Sequence, residues 1–294
     1  MSDFNEMMSE TKLINNSILT NMEKITPLRK LQTKIPILKL SNSYQLIPIE
    51  LIIYSYRNKF IRPFQLYVFL KAISSGKIRL TKSDISHIAG LFGLKSARAI
   101  TNNLKLLISK KWISYCNRSS YYFIRGYDKV GLLNEVNCLK RAEFDARKIS
   151  EFKAFLGGAI ISYLVNRQKW AKWLRERKNG RSLQSFHKPT IYFPVASLTL
   201  AKLLCISIST AFELKALAVR FGYVSVKKNF THTGLTKSNL NQFKRTMPEI
   251  AHRVRIRRKK IVIQDTDTFC PGVRLKKRKK IETKLMGVKR EIDN

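Results

Sequence analysis

Residues 92–104 read FGLKSARAITNNL, and residues 204–214 read LCISISTAFEL. In each, a short apolar segment gives way to a small polar turn and then to the start signal of another helix. Gly93 suits a turn that requires positive φ. After it, SARAITNNLKLLISKKW places Ala97, Ile100, Leu104, Leu107 and Ile108 on one stripe, the apolar face of a second helix. Before it, TKSDISHIAGLFG has Thr81 or Ser83 as N-cap, with Ile85, Ile88 and Ala89 facing inward. Further upstream, RPFQLYVFLKAISSG spaces Phe64, Tyr67, Val68 and Lys71 helically and stops at Gly76.

Downstream, WISYC and YYFIRG are strand-like pieces separated by NRSS, a hairpin turn. Helix, helix, turn, helix and β-hairpin is the order of a winged helix-turn-helix domain. There the second helix of the pair lies in the major groove of DNA, and the hairpin touches neighbouring backbone or the minor groove. Several independent local signals agree on this order, which counts for more than any one of them.

The rest of the chain is organised around a second, similar order. Residues 1–44 are polar, Asn-rich and interrupted by Pro27 and Pro36, an arm. The first winged-helix domain occupies 45–135, and 136–178 reads as a long amphipathic helical connection with a candidate break at Gly157-Gly158. In it, Trp170, Trp173 and Leu174 continue the apolar stripe between basic residues. A Lys- and Arg-bearing loop follows, then ASLTLAKLL, capped by Ser197 or Thr199, the turn CISIS, the helix STAFELKALAVRFG and the strand YVSVKK. RVRIRRKKIVIQD alternates basic and apolar residues as a second hairpin or extended wing would. The second winged-helix domain thus runs 179–270, and 271–294 is a basic tail, unfolded without a partner. The expected fold class is mainly α with small β-hairpins (α+β). The two halves repeat an order of elements with a slip of about one residue between turn and helix.

The chain has 294 residues and carries 57 Lys and Arg against 19 Asp and Glu, a formal net charge of +38. A compact body with that excess repels itself unless something anionic neutralises it, and nucleic acid is the leading candidate. An anionic membrane is the weaker reading; the most apolar run, FLGGAIISYLV, is too short to span a bilayer and reads as part of a buried helix. The N-terminal MSDFNEMMSE has no apolar core and is not read as a signal peptide. Cys116, Cys138, Cys205 and Cys270 are scattered without a CxxC pair, and the four histidines lack metal spacing. A reduced, cytoplasmic, nucleoid-associated protein without metal or cofactor is expected. Asp265 and Asp267 in QDTDT read as a turn, no P-loop or nucleophile elbow occurs, and a non-enzyme is expected.

The outward positions of the first candidate recognition helix are Lys95, Ser96, Arg98, Ala99, Thr101, Asn102 and Lys105. Arg98 suits bidentate binding of guanine and Asn102 of adenine; Ala99 or Thr101 can meet a thymine methyl, with Ser96 beside them. Lys95, Lys105 and Arg118 of the hairpin turn fit phosphates. The second helix offers Ser207, Ser209, Thr210, Phe212, Glu213 and Lys215. Ser209 and Thr210 are its base-reading candidates, and Lys215 its backbone contact. Its domain holds most of its cations in the wing: Lys227, Lys228, Arg253, Arg255, Arg257, Arg258, Lys259 and Lys260. The competing reading is that this helix packs against protein and only the wing meets DNA.

ISHIAGLFGLKSARAITNNLKLLISKKWISY and TLAKLLCISISTAFELKALAVRFGYVSV resemble the winged-helix cores of replication and regulatory proteins. The paired units, the connecting helix and GGAIISYLVNRQKW are similar to plasmid replication initiators and phage replication-organising proteins. Two departures stand out: Trp112 where a Gly-containing end is usual, and no Arg on the second recognition helix ahead of Arg220 at its end. The resemblance implies specific duplex binding at an origin or operator, with replication or transcription machinery as partner; it leaves the oligomeric state open. A transcriptional regulator with the same binding mode is the alternative within that class. From a different class, a structural packager or RNA-binding factor would use the basic surface, and aromatics in SYYFIRGY, without reading duplex sequence.

Overall fold

Thr81 and Ser96 decide where the first helix pair begins and turns. The computed structural model describes residues 40, 42–74, 76–178, 192–251, 253–257 and 260–277. Most of the expected arm, the loop 179–191, Arg258, Lys259 and the end of the tail lie outside the described residues. The described residues form a mixed α/β structure with small antiparallel sheets. In chain order, β1 (Tyr44–Pro48), α1 (Ile49–Arg57) and α2 (Ile61–Ile73) lead into β2 (Lys77–Ile78). Then come α3 (Lys82–Leu91), α4 (Ala97–Ser109), β3 (Ile113–Cys116) and β4 (Tyr121–Ile124).

Thr81 caps α3 in a closed box: its Oγ1 accepts from the Asp84 amide at 3.2 Å, and Asp84 Oδ2 accepts from the Thr81 amide at 2.8 Å. The Thr81 amide, and then the Thr81 hydroxyl donating to the same Oδ2 at 2.8 Å, hold the Asp84 carboxyl below its ordinary value. Ile100, Leu104 and Leu107 are buried from α4, whereas Ile108, expected on the same stripe, is exposed. Trp112 is fully buried, ringed by Tyr54, Phe60, Phe64 and Tyr67 at 5.0–6.2 Å between centroids. Its position at the helix end is therefore a core anchor. The sheet of this unit has the order β2–β4–β3.

The chain continues through α5 (Tyr127–Leu133), β5 (Lys140–Asp145) and a 3-10 turn (Ala146–Glu151) into α6 (Phe152–Lys178). Two corrections fall here. Residues 140–145, expected to be helical, form a strand because β1 offers them an antiparallel ladder from Tyr44↔Asp145 to Pro48↔Arg141. And α6 runs unbroken through Gly157-Gly158. A Cβ on Gly157 would meet the Leu214 carbonyl oxygen at 2.8 Å, and one on Gly158 would meet Tyr223 Cβ at 2.4 Å. The glycines are a notch that lets a later helix and strand approach. The first half of α6 is buried almost all round, from Phe152 to Val165. Beyond Val165 the apolar stripe leaves the core: Trp170 is 51 % exposed and stacks on Trp173 at 4.5 Å.

The second unit comprises β6 (Phe193–Pro194), α7 (Ser197–Leu204), α8 (Ile208–Arg220) and β7 (Val224–Lys227). An insertion follows, with β8 (Phe230–His232), α9 (Lys237–Thr246), α10 (Pro248–Ala251), β9 (Val254–Arg257) and β10 (Lys260–Gln264). Last are β11 (Thr268–Pro271) and β12 (Leu275–Lys277). Sheet order here is β6–β11–β7, the pattern of the first unit repeated, while the insertion has its own sheet, β8–β10–β9. The RVRIRRKKIVIQD hairpin is present as β9 and β10, paired from Ile263↔Val254 to Lys260↔Arg257. Residues 275–277, expected to be unfolded tail, form β12 on the free edge of β5, where Lys276 also meets Glu143 at 3.0 Å. From Leu40 onward the chain clusters as one unit, consistent with that return pairing.

The repeat extends to single backbone positions. Gly93 (φ 63°) and Cys205 (φ 54°) take the left-handed position after the first helix of each pair. The next amides, Leu94 and Ile206, donate to Ala89 and Ala201 at 2.9 and 3.1 Å. Both second helices have 13 residues, capped by Ser96 and Ser207. Both end in a left-handed residue, Lys111 (φ 59°) or Gly222 (φ 74°). Trp112 and Tyr223 follow, their amides donating to Leu107 and Ala218, each at 2.9 Å. The one-residue slip is Lys95, an extra turn residue in the first unit.

Candidate nucleic-acid interface

The outer face of α4 is set by its buried one. With Ile100, Leu104 and Leu107 inward, Arg98, Thr101, Asn102 and Lys105 are exposed, and Lys95 lies exposed in the turn before them. Spacings of three and four residues put Arg98, Asn102 and Lys105 on one face. Among the described residues these three side chains carry no hydrogen bond or ion pair, so their donors are available to a groove. Ser96 and Thr101 are not equivalent to them. The Ser96 hydroxyl accepts from the Arg98 amide at 3.1 Å, and Thr101 Oγ1 donates to the Ala97 carbonyl at 3.3 Å. Each hydroxyl thus begins committed to its own helix. Arg118 is exposed in the turn between β3 and β4, beside the Tyr115–Tyr122 ring pair.

α7 and α8 meet through a turn of Cys205–Ser207 with a bend of 108° between the helices. On α8, Ser209 is exposed and Thr210 half-buried, its hydroxyl 2.8 Å from the capping Ser207 hydroxyl. Lys215 requires a correction. It is turned inward, its Nζ donating to the Val195 carbonyl and to Ser197 Oγ at 3.1 Å, and it lies 4.8 Å over the Phe269 ring. Burial draws its ammonium below the ordinary lysine value, with Asp267 opposing the shift. Lys215 therefore ties α8 to the segment ahead of α7 and does not reach a phosphate from there. Glu213 pairs with Lys153 of α6 at 3.5 Å.

The insertion gathers the remaining cations. The adjacent Lys227 and Lys228 and the distant Lys260 line one open recess of about 570 Å³ with Asn229, Phe230, His232 and Val262. Arg255 is exposed on β9, and the Arg257 backbone belongs to the same strand. Arg253 bonds the Gln264 carbonyl at 2.9 Å and faces Asp265 at 3.6 Å, which holds the hairpin base. Asp265 also accepts from Thr231 Oγ1 at 2.6 Å, so its carboxylate is engaged within the insertion.

Sequence reasoning missed two features. Trp170 and Trp173 were assigned to the core stripe; instead they stand on the basic end of α6, with Arg177 and Lys277 over their rings at 5.5 and 6.0 Å. The run RERK directly after Trp173-Leu174, which leaves the stripe no further apolar residue on the helix, was the available signal. The second feature is an apolar outer surface on the second helix pair: Leu198, Ile208 and Phe212 are 50, 48 and 60 % exposed. Among the described residues, no group of His, Cys, Asp and Glu is arranged to hold a metal ion, and no single helix is long and apolar enough to cross a membrane. Comparison of the chain with protein-family models, with curated proteins and with solved structures gave no match.

Proposed function

We propose that this chain binds double-stranded DNA at a specific site through two winged helix-turn-helix units, as a replication initiator or organiser of a plasmid, phage or other mobile element. The observation that carries the reading is the repeated unit. In each, a short strand leads into two helices joined by a left-handed turn, and two later strands complete a three-stranded sheet in which the last strand is central. The 108° bend of the second pair falls within the range of DNA-binding helix pairs, about 90–120°. The first unit adds an exposed face of Arg98, Asn102 and Lys105, the residue types that read guanine, adenine and phosphate. The second adds Lys227, Lys228, Lys260 and Arg255 on an enlarged wing, which supports backbone grip.

The chain's net charge of +38 would equally serve a packaging protein, so the discriminating property is sequence preference as salt rises. Duplexes enriched by the full chain from random-sequence and source-genome DNA, footprinted and titrated with salt, test the reading. A specific binder keeps a protected sequence while its affinity falls with salt. Uniform loss over all duplexes, or equal affinity for RNA, favours the packaging reading and refutes this one. The replication role is tested by whether the enriched sequence supports autonomous maintenance of a plasmid in the presence of the chain.

A further inference from the structure

We infer that the second helix pair reads thymine, through the methyl group at C5, with Phe212 as the contacting residue and Ile208 beside it. The inference rests on the duplex-binding reading and gives its second unit a specificity.

The observation is a chemical mismatch between the two second helices. On α4 the N-terminal half of the outward face is polar and cationic, with Arg98, Thr101 and Asn102, and the exposed apolar residues, Leu106 and Ile108, lie in the C-terminal half. On α8 the exposed positions are Ile208, Ser209, Phe212, Glu213, Ala216 and Arg220. Its one central cation, Lys215, is drawn inward to Val195 and Ser197. Phe212 is 60 % exposed and Ile208 48 %, and both lie in the N-terminal half of α8. In a helix-turn-helix that half lies closest to the base edges. The thymine C5 methyl is the apolar group that the major groove presents, and phenylalanine is among the side chains that suit it. An apolar face placed there has no hydrogen-bonding use for guanine, adenine or cytosine, whose edges would lose water without compensation.

The surroundings favour DNA over a protein partner. Lys202 and Arg220 are exposed on the same helix pair, and Lys227 ends the strand that α8 leads into, with Lys228 next after it. The acid on the face, Glu213, is paired with Lys153 and so does not present a bare anion to phosphates. The Lys215 ammonium sits 5.9 Å from the Phe212 ring while bonded to the Val195 carbonyl. Ser207 and Thr210, bonded to each other at 2.8 Å, order the helix start beneath it.

Uracil is thymine without the methyl, so replacing one by the other removes only the group in question. The probe is a duplex enriched by the full chain from random-sequence DNA, made again with deoxyuridine at the thymines of each protected half in turn. For the wild-type chain, uracil in the half protected by the second unit should weaken binding about fourfold per contacted methyl, the effect of one buried methylene. Phe212→Ala should bind the thymine duplex correspondingly more weakly and bind the thymine and uracil forms equally. Arg98→Ala should keep the wild-type thymine-to-uracil ratio in that half. Three results would overturn the inference. If wild type binds both forms equally, the methyl is not read. If Phe212→Ala keeps the full uracil sensitivity, another residue reads it. If Phe212→Ala instead abolishes a concentration-dependent self-association of the free chain and leaves DNA binding intact, this face joins copies of the protein. Failure to enrich any duplex would remove the duplex-binding reading itself, a result distinct from all three.

Discussion

Adding one methyl group at Gly158 tests whether the notch in α6 holds the second unit in place. A Cβ there would lie 2.4 Å from Tyr223 Cβ and 3.3 Å from both the Tyr223 carbonyl oxygen and Val273 Cγ2. Ordinary contact begins near 3.4 Å, so the Tyr223 wall has to retreat by about 1 Å. That wall is pinned from several sides. The Tyr223 amide donates to Ala218 at 2.9 Å, its carbonyl accepts from Gly272 at 3.1 Å, and its hydroxyl donates to Glu151 at 3.0 Å. Alanine is preferred to glycine inside a helix by about 1 kcal/mol, whereas overpacking a close-packed site costs about 1–3 kcal/mol and sometimes more. With a pinned wall the upper part of that range applies, and Gly158→Ala should lose roughly 1–2 kcal/mol net. Gly90→Ala, on α3 with nothing within 4 Å of the new Cβ, is the control and should gain up to about 1 kcal/mol. Urea unfolding followed by circular dichroism measures both. Equal stability changes for the two variants would refute the argument that the notch is a packing requirement.

Arg98→Ala and Asn102→Ala should each relax base preference by roughly 1–3 kcal/mol, whereas Lys105→Ala weakens all duplexes alike; selection on each variant distinguishes these, and a uniform loss in all three removes α4 as the reader. Lys228→Ala should lower the slope of log affinity against log salt by about 1, while Lys215→Ala lowers stability and leaves that slope unchanged. An equal loss of slope in both would return Lys215 to the DNA. Thr81→Ala should cost about 1 kcal/mol of stability near neutral pH by opening the capping box. Because the Asp84 carboxyl is held below its ordinary value in the folded chain, its share is fully present above that ordinary value and is lost as pH falls through the depressed one. Unfolding curves for wild type and variant should therefore converge on acidification, and a gap that widens instead contradicts the assignment.

The parts legible in the sequence are those whose cause is local. Thr81 and Asp84 sit three residues apart, Ser96 and Ser207 immediately precede their helices, and YYFIRG follows WISYC across a four-residue turn. Each signal and its structural effect lie within one helical turn or hairpin, and each was readable. The misreadings depend on partners distant in the chain. Gly157-Gly158 looks like a helix break until Leu214 and Tyr223 are known to press there. KRAEFD is a poor strand by pattern, and it pairs because β1 and β12 come from either end of the chain. Lys215 has the sequence position of an outward cation, and only the Val195 carbonyl beside it turns it inward. The polar face of α4 was legible because its inner face is apolar; on α8 the outward place of Phe212 was legible too, whereas Ile208, next to the turn, reads equally well as core.

The insertion begins and ends at two residues that face each other, for Lys227 pairs with Thr268 on adjacent strands. Everything from Lys228 to Asp267 therefore hangs from a single rung of a ladder, and a two-residue Asn-Gly turn would close the gap without moving either strand. In covalent terms the basic wing is a cassette. On the duplex-binding reading proposed above, lengthening, trimming or exchanging it would change the grip on phosphate and leave base preference to the helices.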